Sequence, residues 1–150
     1  MAYQAKKHKR FLEDFELVNE NGEVEKTLHV SLDADDMVVK INRKYVALTR
    51  ALTETNEMQR KAESNENMED CFEKLGRAVV DLFDAVFGPE NTKIIVEFYE
   101  NRYIEMVKEI SPFITQIVIP RCMEIRKENA DRVLHKYNRS QRRSIFKGLV

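Results

Sequence analysis

Three stretches of the chain repeat apolar residues every three or four positions, and this periodicity constrains the fold more than any single residue does. Met37, Ile41, Tyr45, Leu48 and Leu52 fall at intervals of 4, 4, 3 and 4. Met68, Phe72, Leu75, Val79, Leu82, Phe83 and Val86 form a second stripe, and Ile95, Tyr99, Tyr103, Met106 and Ile110 a third at 4, 4, 3 and 4. Each reads as one face of an amphipathic helix. Glycine and proline support this: the chain has 4 and 3 of them, against roughly 18 together at average usage, which argues against a loop-rich barrel or sandwich. With 150 residues, 43% of them hydrophobic, the chain fits a single domain, 1–150, able to bury roughly 68–70% of its unfolded surface.

One region breaks the helical pattern. Phe15, Leu17 and Val18 lead into Asn19-Glu20-Asn21-Gly22, after which Val24, Lys26, Leu28, Val30 and Leu32 alternate with Glu25, Thr27, His29 and Ser31. This predicts a β-hairpin within 12–33, with Asn21-Gly22 supplying the positive φ angles of a tight turn. A lone hairpin is marginal in water, so its Leu28/Val30/Leu32 side must lie on helices, or its open edge must pair with another chain.

The remaining punctuation sets helix boundaries. Asp33, with Asp36 three residues on, predicts an N-cap and a helix from about residue 34. A break falls near 63–67, and the second stripe ends at Phe87-Gly88-Pro89, where Gly88 can take a left-handed cap and Pro89 blocks continuation. Asn91 is positioned to cap the third helix, Ser111-Pro112 marks a stop and restart, and Pro120 bends the last helix or separates two. The expectation is an α+β, mainly α fold: an N-terminal β-hairpin packed on a bundle of four to five helices, the last bent near Pro120. A basic arm occupies 1–11, the helical body 34–125, and a basic C-terminal helix or tail 126–150.

The formal net charge of −1 conceals a gradient. Residues 1–10 carry +4, residues 11–120 carry −11 and residues 121–150 carry +6. Such polarity favours a charged partner or self-association of opposite ends. The basic segment nominates Arg126, Lys127, Arg132, Lys136, Arg139, Arg142 and Arg143 as partner-binding residues. They could equally neutralise phosphates, with Tyr137 or Phe146 stacking on bases, so a small nucleic-acid-associated or regulatory protein is the alternative reading. Against it stand the acidic body and the lack of any nucleic-acid-binding signature.

Chemistry finds little purchase. His8, His29 and His135 are scattered, with no His-x-x-x-His or Cys-x-x-Cys spacing, so no metal or cofactor site is expected. Gly22, Gly76, Gly88 and Gly148 are too far apart for a phosphate-binding loop. Asp81 and Asp84 read as a solvated helix face, Cys71 and Cys122 as core, and the aromatic group Phe98, Tyr99, Tyr103 and Phe113 as core with hydroxyls at its rim. Catalytic residues are therefore not expected, and the chain reads as a non-enzyme. Two isolated cysteines fit a reducing compartment. The charged residues after Leu12 leave no apolar signal-peptide core, and no run of 18 apolar residues exists, so no membrane association is expected.

The segment Asp81-Leu-Phe-Asp84-Ala-Val-Phe87-Gly88-Pro89-Glu-Asn-Thr-Lys-Ile94-Ile95 resembles the helix-end element of tail assembly chaperones from long-tailed, siphovirus-type bacteriophages. The chain length and the order of hairpin, helix, Phe-Gly stop and further helices are also similar to that family. The resemblance implies a non-enzymatic protein of the bacterial host cytoplasm. It would coat the tape-measure protein, keep it soluble during tail assembly and self-associate; in some members a programmed frameshift adds a second domain.

Overall fold

In the computed structural model the backbone is described for residues 1–7, 11–33, 35–61 and 65–148, and side chains for the same residues except 65–66 and 136–148. Two strands, β1 (Phe11–Val18) and β2 (Val24–Leu32), precede five α-helices: α1 (Met37–Lys61), α2 (Asn65–Phe87), α3 (Pro89–Phe98), α4 (Tyr103–Phe113) and α5 (Ile119–Gly148). A π-helical turn, Ile114–Val118, joins the last two. The fold is the expected mainly helical α+β arrangement.

β1 and β2 pair antiparallel with Glu13 opposite Val30 and Phe15 opposite Leu28, and a bulge falls between Leu17 and Val18. That register gathers Phe15, Leu17, Leu28, Val30 and Leu32 on one face, and the last four are buried. The alternation read from the sequence therefore lies against helices. Phe15 anchors it, its ring 5.2 Å from Phe87 of α2 and 4.8 Å from Phe113 of α4, while Phe83 and Phe87 sit 5.7 Å apart. Such tilted pairs add about 0.5–1.5 kcal/mol each beyond their burial. As expected, Phe113 lies in the core and Phe98, Tyr99 and Tyr103 pack against it; Phe113 joins this hairpin-covered cluster, and Phe98 and Tyr99 pair with each other at 5.0 Å.

The hairpin turn also differs in detail. Asn19 N donates to the Glu23 carbonyl, Gly22 N donates to the Asn19 carbonyl, and Asn19 Oδ1 accepts from Asn21 N and Glu23 N. This is a three-residue loop in which Gly22, at φ 81°, holds the positive angle without Asn21.

Several helix boundaries move for local reasons. The helix start expected near residue 34, itself outside the described residues, falls at Met37: Asp33 Oδ1 accepts from Asp35 N in an Asx turn, and Asp36 pairs with Lys40 at 3.0 Å. Gly88, at φ 84° and ψ 156°, is not in the left-handed helical well but in a region open essentially to glycine alone, and it is the N-cap of α3, with Pro89 starting the helix. Asn91 therefore lies inside α3. Its Nδ2 donates to the carbonyls of Phe87 and His29, which ties β2 to the α2–α3 junction.

Two larger corrections concern the third stripe and the prolines. The stripe Ile95 to Ile110 is not one helix. The chain turns at Tyr99–Arg102, where Glu100 N donates to Glu97 O and Asn101 N to Val96 O, a Schellman closure with Glu100 at φ 53° and Asn101 at φ 62°. No glycine marks this stop, so periodicity alone ran through it. Conversely, Ser111-Pro112 does not stop a helix; Pro112 lies within α4. The helical backbone continues from Tyr103 to Gly148, and its irregularity is the π turn immediately before Pro120, where the missing proline N–H requires a shift in hydrogen-bond register.

The core is one cluster running from the hairpin through α1, α2 and α4 to Ile125. Phe83, Ile41, Leu48, Leu82, Met106 and Ile114 are among its fully enclosed side chains. Cys71 and Cys122 are buried free thiols, with Cys122 Sγ 3.8 Å from Met37 Sδ. Burial, with Asp33 nearby, pushes the Cys122 thiol up, which leaves it a packing residue.

Candidate functional site

Helix α2 carries apolar residues on more of its circumference than the core covers. Phe72 is 40% exposed, while Leu75, on the adjoining part of the helix, is buried. The left-handed corner at Glu100–Asn101 swings the start of α4 back onto this flank, so that Ile104, 54% exposed, faces the same space. Between them lies an open groove of about 1100 Å³, with Phe72, Leu75, Val80, Tyr103 and Ile104 contributing its apolar lining.

Gly76 sets how closely the two walls approach. A Cβ on Gly76 would stand 2.9 Å from Cε2 of Tyr103, so the tyrosine ring rests directly on the α2 backbone. This is the one glycine inside a helix of the described core, and close approach explains it. The third stripe placed Tyr103 correctly on an apolar face, yet nothing in the periodicity distinguished a groove wall from the core.

The rim is acidic. Glu69, Glu73, Asp81 and Glu105 line the groove with Arg77 and Arg102. An adjoining depression of about 630 Å³ shares Arg102 and Glu105 and adds Glu20 and Glu25 from the hairpin, Glu100 from the α3–α4 corner and Glu109 from α4. Eight carboxylates thus face two guanidiniums. The arginines take part in long, exposed pairs, Arg77 with Glu73 at 3.9 Å and Arg102 with Glu100 and Glu105 at 3.7 Å each. Pairs of that kind contribute at most about 1 kcal/mol. Tyr99 reports the local field: burial foremost, then Glu109 and Glu105, hold its phenol above the ordinary range. Part of the acidic body seen in the charge gradient thus borders the groove and the depression beside it.

The nominated basic residues lie elsewhere. Arg126, Lys127 and Arg132 are exposed on α5 beyond Ile125, the last core residue. Lys136, Arg139, Arg142 and Arg143 are on the helical backbone of α5, but their side chains lie outside the described residues. Every side chain from Arg126 to His135 is exposed, including Val133 at 66% and Leu134 at 56%. Over Arg126 to His135 α5 is thus exposed, with Arg126, Lys127 and Arg132 beside Glu128 and Asp131. None of the described side chains from Arg126 to His135 lines the groove.

Groups suited to chemistry do not converge. His29 Nδ1 meets Asp14 Oδ1 at 2.7 Å on the exposed face of the hairpin, and His135 is exposed on α5; His8 lies outside the described residues. Asp81 is exposed at the groove rim and Asp84 half-buried on the hairpin side. Among the described residues no three histidine, cysteine or carboxylate side chains gather as a metal site, and no helix is long and apolar enough to cross a membrane. No family model, no curated protein and no solved structure matches the chain.

Proposed function

We propose that the chain is a non-enzymatic tail assembly chaperone of a long-tailed bacteriophage, acting in the bacterial host cytoplasm on the tape-measure protein. The observation that carries the reading is the open groove between α2 and α4, apolar in its lining and acidic at its rim. An amphipathic helix laid on such a surface buries its apolar face while its basic residues meet the rim. A chaperone for a long helical protein needs this kind of reversible cover, able to recur along the client and to be displaced when the tube forms. The hairpin followed by helices, and the Phe87-Gly88 helix end, agree with the sequence resemblance.

The test is co-expression with the tape-measure protein encoded alongside the chain. The soluble fraction of tape-measure protein rises when the chain is present, and the two co-purify. A tape-measure protein as insoluble as when expressed alone contradicts the reading. Duplex DNA binding that falls steeply with salt, without any effect on the tape-measure protein, would replace it with the nucleic-acid alternative.

A further inference from the structure

We infer that the groove between α2 and α4 selects a helix bearing a row of charges four residues apart, three basic and one acidic, and that Arg77 is the residue that reads the acid. This rests on the reading of the groove as the client site, and names the kind of helix that the site takes. Two rows of α2 residues lie along the groove, each in steps of four. Phe72, Gly76 and Val80 form the apolar row. Glu69, Glu73, Arg77 and Asp81 form the charged row beside it. All four members of the charged row are exposed, Arg77 with 79% of its side chain in solvent.

Side chains four apart stand on one ridge of a helix, about 6 Å from one another along the axis. A helix that docks by its own four-residue ridges lays them parallel to those of α2, at a crossing of about −50°. A ladder of charges on the client then stays in step with the ladder at the rim. From Glu69 to Asp81 the wall measures about 18 Å at 1.5 Å per residue, room for about three turns of client. The Tyr103 ring rests on Gly76 in the middle of the apolar row, and Ile104 stands exposed in the facing wall. The client's apolar ridge covers these side chains, and its next ridge meets the charged row.

Charge sets what that second ridge must carry. Three members of the row are carboxylates, and the third in line is a guanidinium. Its pair with Glu73 is exposed and long at 3.9 Å, so little is lost when a partner's carboxylate takes its place. Arginine offers a planar fork that a carboxylate meets with two hydrogen bonds, whereas a client lysine at that step meets like charge. The complement is a helix with basic residues opposite Glu69, Glu73 and Asp81 and an acidic residue opposite Arg77. A uniformly basic helix brings more net charge to the acidic rim but the wrong charge to Arg77, which separates recognition from general attraction.

Fluorescence anisotropy of the full chain with three labelled peptides tests this. Each is an alanine-rich helix of about 20 residues, with leucines on one ridge and charges on the next. The first carries lysine, lysine, glutamate and lysine in four-residue steps, the second the reverse order and the third four lysines; circular dichroism verifies that their helicity matches. The first two cover parallel and antiparallel docking. The wild-type chain binds one of these two roughly fivefold or more tightly than the all-lysine peptide. Arg77→Glu inverts the ranking, and Ile104→Lys weakens all binding roughly tenfold or more. Both positions are exposed, and an unchanged unfolding temperature verifies the fold. An all-lysine peptide bound as tightly as both patterned ones, a ranking that Arg77→Glu leaves unchanged, binding that survives Ile104→Lys, or no binding of any peptide each overturn the inference. A chain that solubilises the tape-measure protein yet shows no preference among the peptides overturns this inference alone. One that ranks the peptides as described while leaving that protein insoluble overturns the chaperone reading alone.

Discussion

The two flanks of α2 offer nearly the same material to their surroundings and meet different fates. Toward its C-terminal end, Phe83, Val86 and Phe87 are closed over by the hairpin, with Phe15 and Phe113 completing the cluster. On the other flank, Phe72 lines an open groove beside the first turn of α4 and is 40% exposed. The chain thus spends its one pair of strands on sealing one side and leaves the other open. Aromatic residues at helical spacing do not by themselves say core or interface. What decides is whether the chain has another element to lay on them.

Substitutions can break this contrast or sharpen it. The largest effect belongs to the sealed side: Phe83→Ala costs about 3–5 kcal/mol, read as a shift in denaturant midpoint, because Phe83 is fully enclosed. Phe72→Ser on the open side stays within about 1 kcal/mol; a loss comparable to that at Phe83 would mean that the groove is core. Glu100→Gly raises stability by about 1 kcal/mol, since a non-glycine residue at φ 53° carries a left-handed penalty that glycine lacks. The same change removes a carboxylate from the depression beside the groove. Gly76→Ala moves stability little, as the gain in helix propensity of roughly 1 kcal/mol offsets displacement of the Tyr103 ring. It narrows the groove, and client binding falls.

The smallest effects concern titration. Burial raises the phenols of Tyr45 and Tyr99 and the thiol of Cys122 above their ordinary values of 10.0, 10.0 and 9.0. Glu109 and Glu105 add to the shift at Tyr99, and Ser111 beside Tyr45 offsets part of its own. A group raised on folding stabilises the fold below its unfolded value and loses that contribution as pH climbs through the folded one. Unfolding midpoints therefore hold to about pH 9 and decline above it. Tyr45→Phe makes that decline shallower. At neutral pH it is nearly neutral for stability, because the enclosed Tyr45 hydroxyl has only the Ser111 side chain beside it and no well-formed hydrogen bond to lose.

The sequence made the architecture legible where one physical signal dominated. Period-two alternation placed the hairpin and its buried side, and the stripes from Met37 and Met68 placed two long helices. It failed where backbone geometry was supplied without its usual residue. Glu100 occupies a left-handed position that sequence patterns reserve for glycine, so the α3–α4 corner was invisible. Pro112 and Pro120 are punctuation in most contexts, but here a π turn absorbs the second and the helix continues. The groove depends on that hidden corner, which is why Phe72, Tyr103 and Ile104 read as stripe residues, or not at all, while the basic arm stood out from charge alone. Both surfaces were present in the sequence, the groove hidden by the corner and the arm marked by the charge gradient, −11 in the body against +6 at the end.

The central claim is that the open flank of α2 is a binding surface, and co-expression with groove variants tests it most directly. Tape-measure protein is expressed with the wild-type chain, with Phe72→Lys and with Ile104→Lys, and its soluble fraction is measured for each. The account predicts that the wild-type chain solubilises it and that both variants, folded with unchanged unfolding temperature, lose most of that effect. Variants that solubilise it as well as the wild-type chain would contradict the account.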